Sequence, residues 1–302
     1  MPDFWNAGHV IDYMREQHEH LPDDFFDVYM VDPAYHILGR IPLNRLVRAP
    51  REEKVNTLGT ANLIPISALM DQEEVAHIFR RDNITSAPVV DEDQRLIGVI
   101  TIDDVVDVID EEAEEDIMKL AGLEEDDMYK AILSTTTTRF RWLFVNLLTA
   151  ILASIVISLF DGTLNQIVAL AILMPIVASM GGNAGTQALT IAVRALATKE
   201  ISRANMWRMI WKETAVGSIN GLSFAFIIGV VTGLWFQNIL LGVVIALAMV
   251  INMLVAGFFG ASIPILMERF GRDPAVSSSV ILTTVTDVVG FFAFLGLASL
   301  ML

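Results

Sequence analysis

The stretch MPIVASMGGNAGTQALTIAVRALA, residues Met174 to Ala197, is apolar enough to enter a membrane, yet it contains a proline, two adjacent glycines, an asparagine and a glutamine. Proline and glycine weaken a helix, and polar side chains are costly in hydrocarbon. Because no water inside a bilayer can satisfy freed backbone groups, a broken helix is tolerated there only where it is buried in protein or lines a wet cavity. The stretch therefore predicts an interrupted membrane helix beside a permeation pathway.

Composition divides the chain into two unlike domains. Of its 302 residues 54% are hydrophobic, and the polar residues are concentrated in the first 140 positions. The formal net charge of −16 argues against a nucleic-acid partner, because binding to phosphate needs a basic surface. The absence of cysteine excludes disulfides, thiolate metal sites and cysteine nucleophiles. The chain opens without the apolar core of a signal peptide.

Five apolar runs predict five membrane-spanning helices in a lipid bilayer, since a hydrocarbon core of about 30 Å needs roughly 20 helical residues. The runs cover residues 139–160, 164–184, 213–236, 238–267 and 276–302. All Lys and Arg residues near the span ends fall on one side; they are Arg139, Arg141, Arg194, Lys199, Arg203, Arg208, Lys212, Arg269 and Arg272. The positive-inside rule then predicts a cytoplasmic soluble domain and a C-terminus on the outer side.

The polar first part contains an internal repeat. VIDYMREQ (10–17) followed by DVYMVDPAYHILGRIPLNRLV (27–47) parallels EVAHIFRR (74–81) followed by SAPVVDEDQRLIGVITIDDVV (86–106). Each copy predicts a helix, a short strand ending at an aspartate, and a second strand with a glycine seven residues after it; these residues are Asp32, Asp91, Gly39 and Gly98. The pattern resembles a tandem pair of α/β CBS modules over residues 4–112, the first lacking the strand that usually precedes its helix.

The second copy carries a motif that resembles the nucleotide-binding segment of CBS modules. In GVITIDD, Thr101 and Asp104 occupy the positions of the hydroxyl and the acidic residue that contact a nucleotide. The first copy has GRIPLNR, with Pro42 and Arg45 at those positions. The resemblance thus implies one site for an adenine nucleotide such as ATP. The alternative is that Thr101 only caps the helix after the strand.

A run of thirteen Asp and Glu residues, opposed by Lys119 alone, extends from Asp103 to Asp127. Like charges at helical i, i+3 and i+4 spacings repel, so a helix here is costly without a counter-cation. Oxygen ligands without Cys or His suit hard cations such as Mg²⁺. The run therefore predicts a regulatory cation sensor, or alternatively a solvated helix face. The candidate ligands in this run are Glu111, Glu112, Glu115 and Asp116.

Polar residues within the predicted spans are candidates for the permeation pathway. Asp287 is the most informative, because a carboxylate in a membrane helix marks a site that faces a pore or a partner. The alternative is that it pairs with a buried polar group between helices. Asn183 lies beside glycines, and we expect it to line the pore. We expect Asn220 and Asn252 instead to form hydrogen bonds between helices. Further candidates for pore lining are Gly181, Gly182, Ser279 and Thr283.

Together these features resemble the MgtE family of magnesium transporters and channels. The specific motifs are the proline with GGNAGTQ in Pro175 to Gln187 and TDVVGFF in Thr286 to Phe292. The resemblance implies a transporter rather than an enzyme, and a homodimer with its ion pathway at the subunit interface. It also implies a central Mg²⁺ site built by Asp287 and supported by Asn183.

The resemblance further implies a connecting, or plug, helix from about Glu124 to Thr138, and intracellular Mg²⁺ that closes the pore with help from Asp273. The sequence departs from the family pattern in two respects. The usual acidic N-terminal helical domain is expected to be missing, and Ser279 stands where some members carry asparagine, which bears on selectivity.

The expected organisation is a tandem CBS domain at 1–112, an acidic connecting region at 113–138 and a five-helix membrane domain at 139–302. The expected function is a channel-like Mg²⁺ transporter of a bacterial inner or plasma membrane, gated by intracellular Mg²⁺. The alternative is a Na⁺-coupled or less selective divalent-cation carrier or exporter of the same fold. A CBS-regulated anion channel is disfavoured by Asp287, and a CBS-domain enzyme by the lack of a soluble catalytic constellation.

Overall fold

A computed structural model describes the chain except residues 23–24, 61–62, 124–130 and 203 and the side chain of Ser277. The chain divides into two compact units, Met1–Glu114 and Glu115–Leu302. The first unit is α/β and the second is helical, as the sequence predicts.

Each repeat in the first unit forms a helix followed by an antiparallel strand pair and a second helix. The elements of the first copy are α1 (Ala7–Glu16), β1 (Asp27–Val31), β2 (Ile37–Pro42) and α2 (Leu43–Arg48), followed by the short helix α3 (Val55–Leu58). Those of the second copy are β3 (Ile66–Ser67), α4 (Gln72–Asp82), β4 (Ser86–Val90), β5 (Leu96–Thr101) and α5 (Ile102–Leu120), which continues into the second unit.

The repeated aspartates stabilise the turns between paired strands. Asp32 Oδ1 accepts hydrogen bonds from the backbone N–H groups of Ala34 and His36, both at 2.8 Å, and Asp91 Oδ1 accepts one from Arg95 N–H at 2.8 Å. In the second copy β3 lies parallel to β4, which pairs antiparallel with β5. In the first copy a parallel bridge between Pro2 and Val31 stands in the corresponding place. The predicted repeat of a helix, a strand pair and a second helix is therefore present in both copies.

Each copy has its own apolar core. Val10, Val28, Ile41 and Leu46 are among the residues of the first core. The second core contains Val75, Phe79, Ala87 and Val105, and the last of these places the start of α5 against its module.

The second unit consists of six described helices. They are α6 (Ile132–Ser158), α7 (Asp161–Gln166), α8 (Val168–Ala197), α9 (Met206–Trp235), α10 (Ile239–Arg269) and α11 (Pro274–Met301). Within the described part of the chain, all of these except α7 are long and apolar enough to cross a membrane, which confirms the five predicted spans.

Residues 132–138, predicted as part of a separate plug helix, instead form the start of α6. Two of their threonine hydroxyls bond back to the helix: Thr136 Oγ1 donates to Ile132 O at 2.7 Å and Thr137 Oγ1 to Leu133 O at 2.9 Å. These bonds satisfy both hydroxyl groups within the helix. The rest of the predicted plug, from Glu124 to Lys130, lies outside the described residues.

The predicted interruption of the second span is wrong, because α8 is helical without a break from Val168 to Ala197. Pro175 removes one helical hydrogen bond, but the neighbouring turns remain. Thr186 Oγ1 donates to Gly182 O and Thr190 Oγ1 to Thr186 O, both at 2.9 Å, so these hydroxyls are satisfied within the helix.

The core of the second unit joins α8, α10 and α11. Its buried members are Leu170, Leu173, Val177, Leu241, Val244, Ile245, Ala248, Phe294, Leu295 and Ala298. Helix α9 lies close along α10, since a Cβ atom added to Gly217 would come within 2.5 Å of Met253 O. These contacts hold α8 and α11, which carry the predicted pore residues, on one scaffold.

Candidate ion pathway

One face of α8 is polar and exposed in the single chain. Ser179, Asn183, Thr186 and Thr190 follow one another at spacings of three or four residues, so they share a helix face. Asn183 Nδ2 lies 3.4 Å from Ser179 Oγ, the one hydrogen-bond partner its side chain has among the described residues. Because a polar face in contact with lipid is costly, this face is suited to water or to another polypeptide.

A second polar face lies on α11. Ser279, Thr283 and Asp287 are spaced by four residues; Thr283 is exposed and the other two are half-buried. Thr283 Oγ1 donates to Ser279 O at 2.5 Å. Within the described chain, Asp287 forms no ion pair or hydrogen bond. The alternative that Asp287 pairs with a buried polar group is thus not supported for a single chain.

Helices α8 and α11 pack against each other directly. Leu189 and Val193 of α8 share a buried cluster with Ala275 and Leu282 of α11. A Cβ atom added to Gly185 would lie 3.0 Å from Leu282 Cδ1, so this glycine allows the close approach of the two helices. The two polar faces therefore belong to neighbouring helices.

Among the predicted pore-lining glycines, Gly182 and Gly181 differ. Gly182 is half-buried, and a Cβ atom added to it would meet nothing within 4 Å. Gly181 is buried, and an added Cβ atom would overlap the side-chain amide of Asn252 on α10. The prediction that Gly181 lines a pore is corrected, because its α carbon faces the protein interior.

The two asparagines predicted to join helices behave differently. Asn252 is fully buried, and its Nδ2 donates to Val177 O at 2.8 Å, which confirms an interhelical role. Asn220 is exposed on α9 and makes no hydrogen bond with another described residue. The predicted interhelical bond of Asn220 is therefore not formed in the single chain.

The acidic run and Asp273 meet at Lys119. Lys119 Nζ lies 2.9 Å from Glu115 Oε1 and 2.9 Å from Asp273 Oδ2. Asp273 also caps α11, because its Oδ1 accepts a hydrogen bond from Ala275 N–H at 2.8 Å. A protein cation thus lies between two carboxylates that the sequence assigns to a regulatory metal.

The charges of this bridge are stabilised by one another. Burial acts to lower the pKa of Lys119, but hydrogen bonds to Glu115 and Asp273 outweigh it and raise the pKa above its ordinary value. Burial acts to raise the pKa of Asp273, but the hydrogen bond from Lys119, supported by that from Ala275 N–H, holds the pKa below its ordinary value. Both groups are therefore charged at neutral pH.

The remaining acidic residues lie along α5, which is helical throughout Ile102–Leu120 despite the predicted repulsion. Its apolar residues Val105, Val108 and Ile109 pack on the second core and compensate for the repulsion. Glu112 Oε1 accepts a hydrogen bond from Gln72 Nε2 at 2.6 Å. In the described part of one chain, no three His, Asp or Glu side chains converge as a metal site. The predicted ligands Glu111, Glu112, Glu115, Asp116 and Asp273 therefore do not form such a group within a single chain. The acidic residues from Glu124 to Asp127 lie outside the described residues.

A cavity of about 590 Å³ in the first unit brings together the predicted nucleotide-binding residues. Thr101, Asp103 and Asp104 line it together with Tyr29 and Ser86. The backbone N–H and the hydroxyl of Thr101 both donate to Asp104 Oδ2, at 3.0 and 2.8 Å. This is one half of a capping box at the start of α5, in which the Asp104 carboxylate satisfies the N–H of Thr101, and both residues also line the cavity.

A second cavity of about 650 Å³ contains Pro42 but not Arg45 among its lining residues. Arg45 Nη1 instead donates to Leu58 O at 3.0 Å.

Comparison with known proteins identifies both regions. Residues 174–297 match the MgtE family, described as divalent cation transporter, and residues 55–111 match the CBS domain. The similarity to the MgtE family thus lies in the membrane region of this chain. The MgtE match contains Asn183 and Asp287 and therefore both polar helix faces.

Curated relatives extend the MgtE similarity over most of the chain. The magnesium transporter MgtE of Bacillus subtilis is 33% identical over 274 residues, covering 90% of this chain and 60% of the relative. That of Thermus thermophilus is 33% identical over 283 residues, covering 93% and 63%. The chain thus spans about three fifths of the length of these relatives.

A solved structure of the soluble part of a magnesium transporter is 28% identical and covers 37% of this chain and 44% of its own, with a TM-score of 0.36.

The sequence alone does not predict three features of the described residues. The lysine in the acidic run gives no sign that it contacts Asp273, which lies far along the chain. The sequence predicts that Asn252 of α10 forms an interhelical hydrogen bond. It does not predict that Gly181 and Gly290 enclose this side chain. Asp103, which lines the cavity beside Asp104, was detectable only as part of the acidic motif.

Proposed function

We propose that this chain transports Mg²⁺ across a membrane, with Mg²⁺ as the substrate. The observation that carries the proposal is the pair of polar faces on the neighbouring helices α8 and α11, with Asn183 and Asp287, within the MgtE-matched segment. The relatives from Bacillus subtilis and Thermus thermophilus are magnesium transporters, which supports Mg²⁺ as the cargo.

The site is best completed by a second copy of the chain. Asp287 has no hydrogen bond or ion pair within the described residues of one chain, and the polar face of α8 is open. Two copies facing each other across these helices would place two carboxylates on one axis and remove the polar faces from lipid. A homodimer with its pathway at the interface follows.

Selection would act on a hydrated ion. Mg²⁺ gives up water reluctantly and binds through one or two carboxylates while keeping several waters. Two Asp287 carboxylates supply the charge, and the Asn183 amide can hydrogen-bond those waters. A membrane potential then drives inward flux, since each charge that crosses 100 mV gains about 2.3 kcal/mol.

The orientation follows from charge and span number. The basic residues near the span ends favour a cytoplasmic CBS domain in a bacterial inner or plasma membrane. Five spans would then place the C-terminus on the outer side.

Intracellular Mg²⁺ would regulate the channel-like pathway through the acidic residues Glu111, Glu112, Glu115 and Asp116 together with Asp273. Since no three-carboxylate group forms within the described part of one chain, cations would bridge two acidic surfaces. Mg²⁺ that binds the closed arrangement more tightly shifts the population toward it.

The cavity lined by Thr101, Asp103 and Asp104 would bind an adenine nucleotide such as ATP. The Thr101 hydroxyl and the carboxyl groups of Asp103 and Asp104, in a cavity lined mainly by apolar residues, suit the hydroxyl groups of a ribose and the amino group of a base.

Ion flux into liposomes that contain the full chain tests the proposal. We expect Mg²⁺ uptake that exceeds uptake of Ca²⁺, Mn²⁺ and Co²⁺; a folded protein without Mg²⁺ uptake would overturn it. Ser279, a small side chain on the Asp287 face, favours as second candidate a less selective or Na⁺-coupled carrier, whose flux would follow a Na⁺ gradient or accept several ions equally.

A further inference from the structure

Asn252, near the middle of α10, occupies an unusual position for an amide. It is fully buried, and its Nδ2 donates to Val177 O of α8 at 2.8 Å. Its Oδ1 is also buried and has no hydrogen-bond partner among the described residues. A half-satisfied amide is costly in an apolar core, so packing alone does not account for asparagine here.

Two glycines on different helices enclose this amide. A Cβ atom added to Gly290 of α11 would lie 2.7 Å from Asn252 Nδ2 and 3.0 Å from its Cγ. A Cβ atom added to Gly181 of α8 would overlap the same amide. Any side chain larger than hydrogen at either position would push α10 away. The amide therefore fixes how closely α8 and α11 approach α10.

The enclosing glycines are near the two polar residues of the proposed pathway. Gly181 is two residues before Asn183, and Gly290 is three residues after Asp287, within one helical turn in each case. A shift or rotation of α8 or α11 at Asn252 must therefore move Asn183 or Asp287 with it.

We propose that Asn252 is a positioning residue that sets the separation of Asn183 and Asp287 and thereby the preference for Mg²⁺ over Ca²⁺. This inference rests on the proposed function. Mg²⁺ demands near-ideal octahedral geometry, whereas Ca²⁺ accepts longer and more variable ligand distances. A less fixed distance between α8 and α11 should therefore reduce Mg²⁺ flux more than Ca²⁺ flux.

The test replaces Asn252 by leucine, which has the same number of side-chain heavy atoms and the same branching at Cγ but no polar atoms. Replacing a half-satisfied polar group by an apolar one preserves folding in many cores, and Asn220→Leu serves as the matched control because Asn220 is exposed on α9. Fluxes of Mg²⁺ and Ca²⁺ are measured in liposomes with the full chain. We expect the Mg²⁺ to Ca²⁺ flux ratio to fall about tenfold in Asn252→Leu and to stay unchanged in Asn220→Leu. A folded Asn252→Leu protein with the parental ratio overturns the inference.

A second measurement separates this inference from the proposed function. Because the chain has no cysteine, single cysteines at the exposed positions Thr190 on α8 and Ile281 on α11 can carry nitroxide labels. The distance between the two labels is measured in samples where each labelled chain is mixed with an excess of unlabelled chain, so that only labels within one chain interact. This measurement does not depend on transport. A changed distance in Asn252→Leu supports the positioning role even if the parent protein does not transport Mg²⁺. In that case only the proposed function and the selectivity effect fail. An unchanged distance overturns the positioning role.

If Asn252→Leu does not fold, Gly290→Ala displaces the amide from the opposite side and is measured in the same way. The expected direction is the same for both the flux ratio and the label distance. Parental values for both in a folded Gly290→Ala protein overturn the inference.

Discussion

The ammonium group of Lys119, near the end of α5, lies 2.9 Å from Asp273, the residue that caps α11. Leu120, the next residue, packs against the cluster that joins α8 and α11. The end of the acidic helix is thus attached, by charge and by apolar contact, to the start of the helix that carries Asp287. A substitution of Lys119, or a cation that displaces its ammonium group, therefore affects the N-terminal end of α11.

Replacing Lys119 by methionine should make the protein respond more strongly to Mg²⁺. The change leaves Glu115 and Asp273 without their shared cation, so we expect a loss of about 1 kcal/mol in the free energy of unfolding without divalent ions. Millimolar Mg²⁺ should restore most of this loss by taking the place of the ammonium. Thermal unfolding with and without Mg²⁺ measures both effects. Lys199→Met, at an exposed position, is the control, and an equal Mg²⁺ response in both variants would contradict this account.

The Lys119 bridge should be independent of pH near neutrality and be lost in acid. The pKa of Asp273 is lowered, so its contribution to stability is present above the ordinary aspartate pKa of about 3.9 and disappears as pH falls through the lower folded value. The pKa of Lys119 is raised, so its contribution is present below about 10.4 and disappears only as pH rises through the higher folded value. The stability difference between parent and Lys119→Met should therefore be constant from about pH 5 to 9. A step near pH 6.5 would point to a histidine instead.

Replacing Asp287 by asparagine should reduce Mg²⁺ uptake by orders of magnitude. The change keeps the shape of the side chain but removes the charge that holds the ion, and expression and dimerisation should persist. Uptake into liposomes and the mass of the detergent-solubilised protein check both parts. Asp161→Asn, an exposed carboxylate at the start of α7, should keep parental uptake. Unchanged uptake in Asp287→Asn would exclude Asp287 as the central ligand.

Replacing Asp104 by alanine should abolish ATP binding by the full chain. Asp104 lines the cavity and holds Thr101 in place, so its loss removes a ligand contact and about 1 kcal/mol of helix capping. Calorimetry in detergent measures the binding heat. Asp107→Ala, on the same helix but not among the cavity residues, is the control. If the parent itself gives no heat with ATP, Thr101 and Asp104 act only as a cap.

Neutralising Glu111, Glu112, Glu115 and Asp116 together should remove inhibition by intracellular Mg²⁺. Two acidic surfaces repel each other unless cations lie between them, at about 4 kcal/mol for each close pair in an effective dielectric of 20. The variant should lose the difference in Mg²⁺ binding between open and closed states but remain sensitive to Asp287→Asn. Patch recordings at graded internal Mg²⁺ test this, and inhibition at the parental concentration would place the sensor elsewhere.

The sequence by itself determined the division into a polar and an apolar region, the CBS-like repeat and the number of membrane helices. These features depend on local patterns: a strand or a span is recorded in the hydropathy and turn residues of its own segment. The polar faces of α8 and α11 were predictable for the same reason, since Asn183 and Asp287 are polar residues within apolar runs.

Only the tertiary structure decided which residues of different helices meet. Local propensity predicted a break near Pro175, but packing against α10 and α11 and hydroxyl-to-carbonyl bonds keep α8 continuous. The contact from Asn252 to Val177 spans 75 residues, and that from Lys119 to Asp273 spans all of the membrane helices except α11. No local pattern encodes such pairs, because they arise only when helices far apart in sequence pack closely enough for an amide to lie between two glycines or an ammonium between two carboxylates.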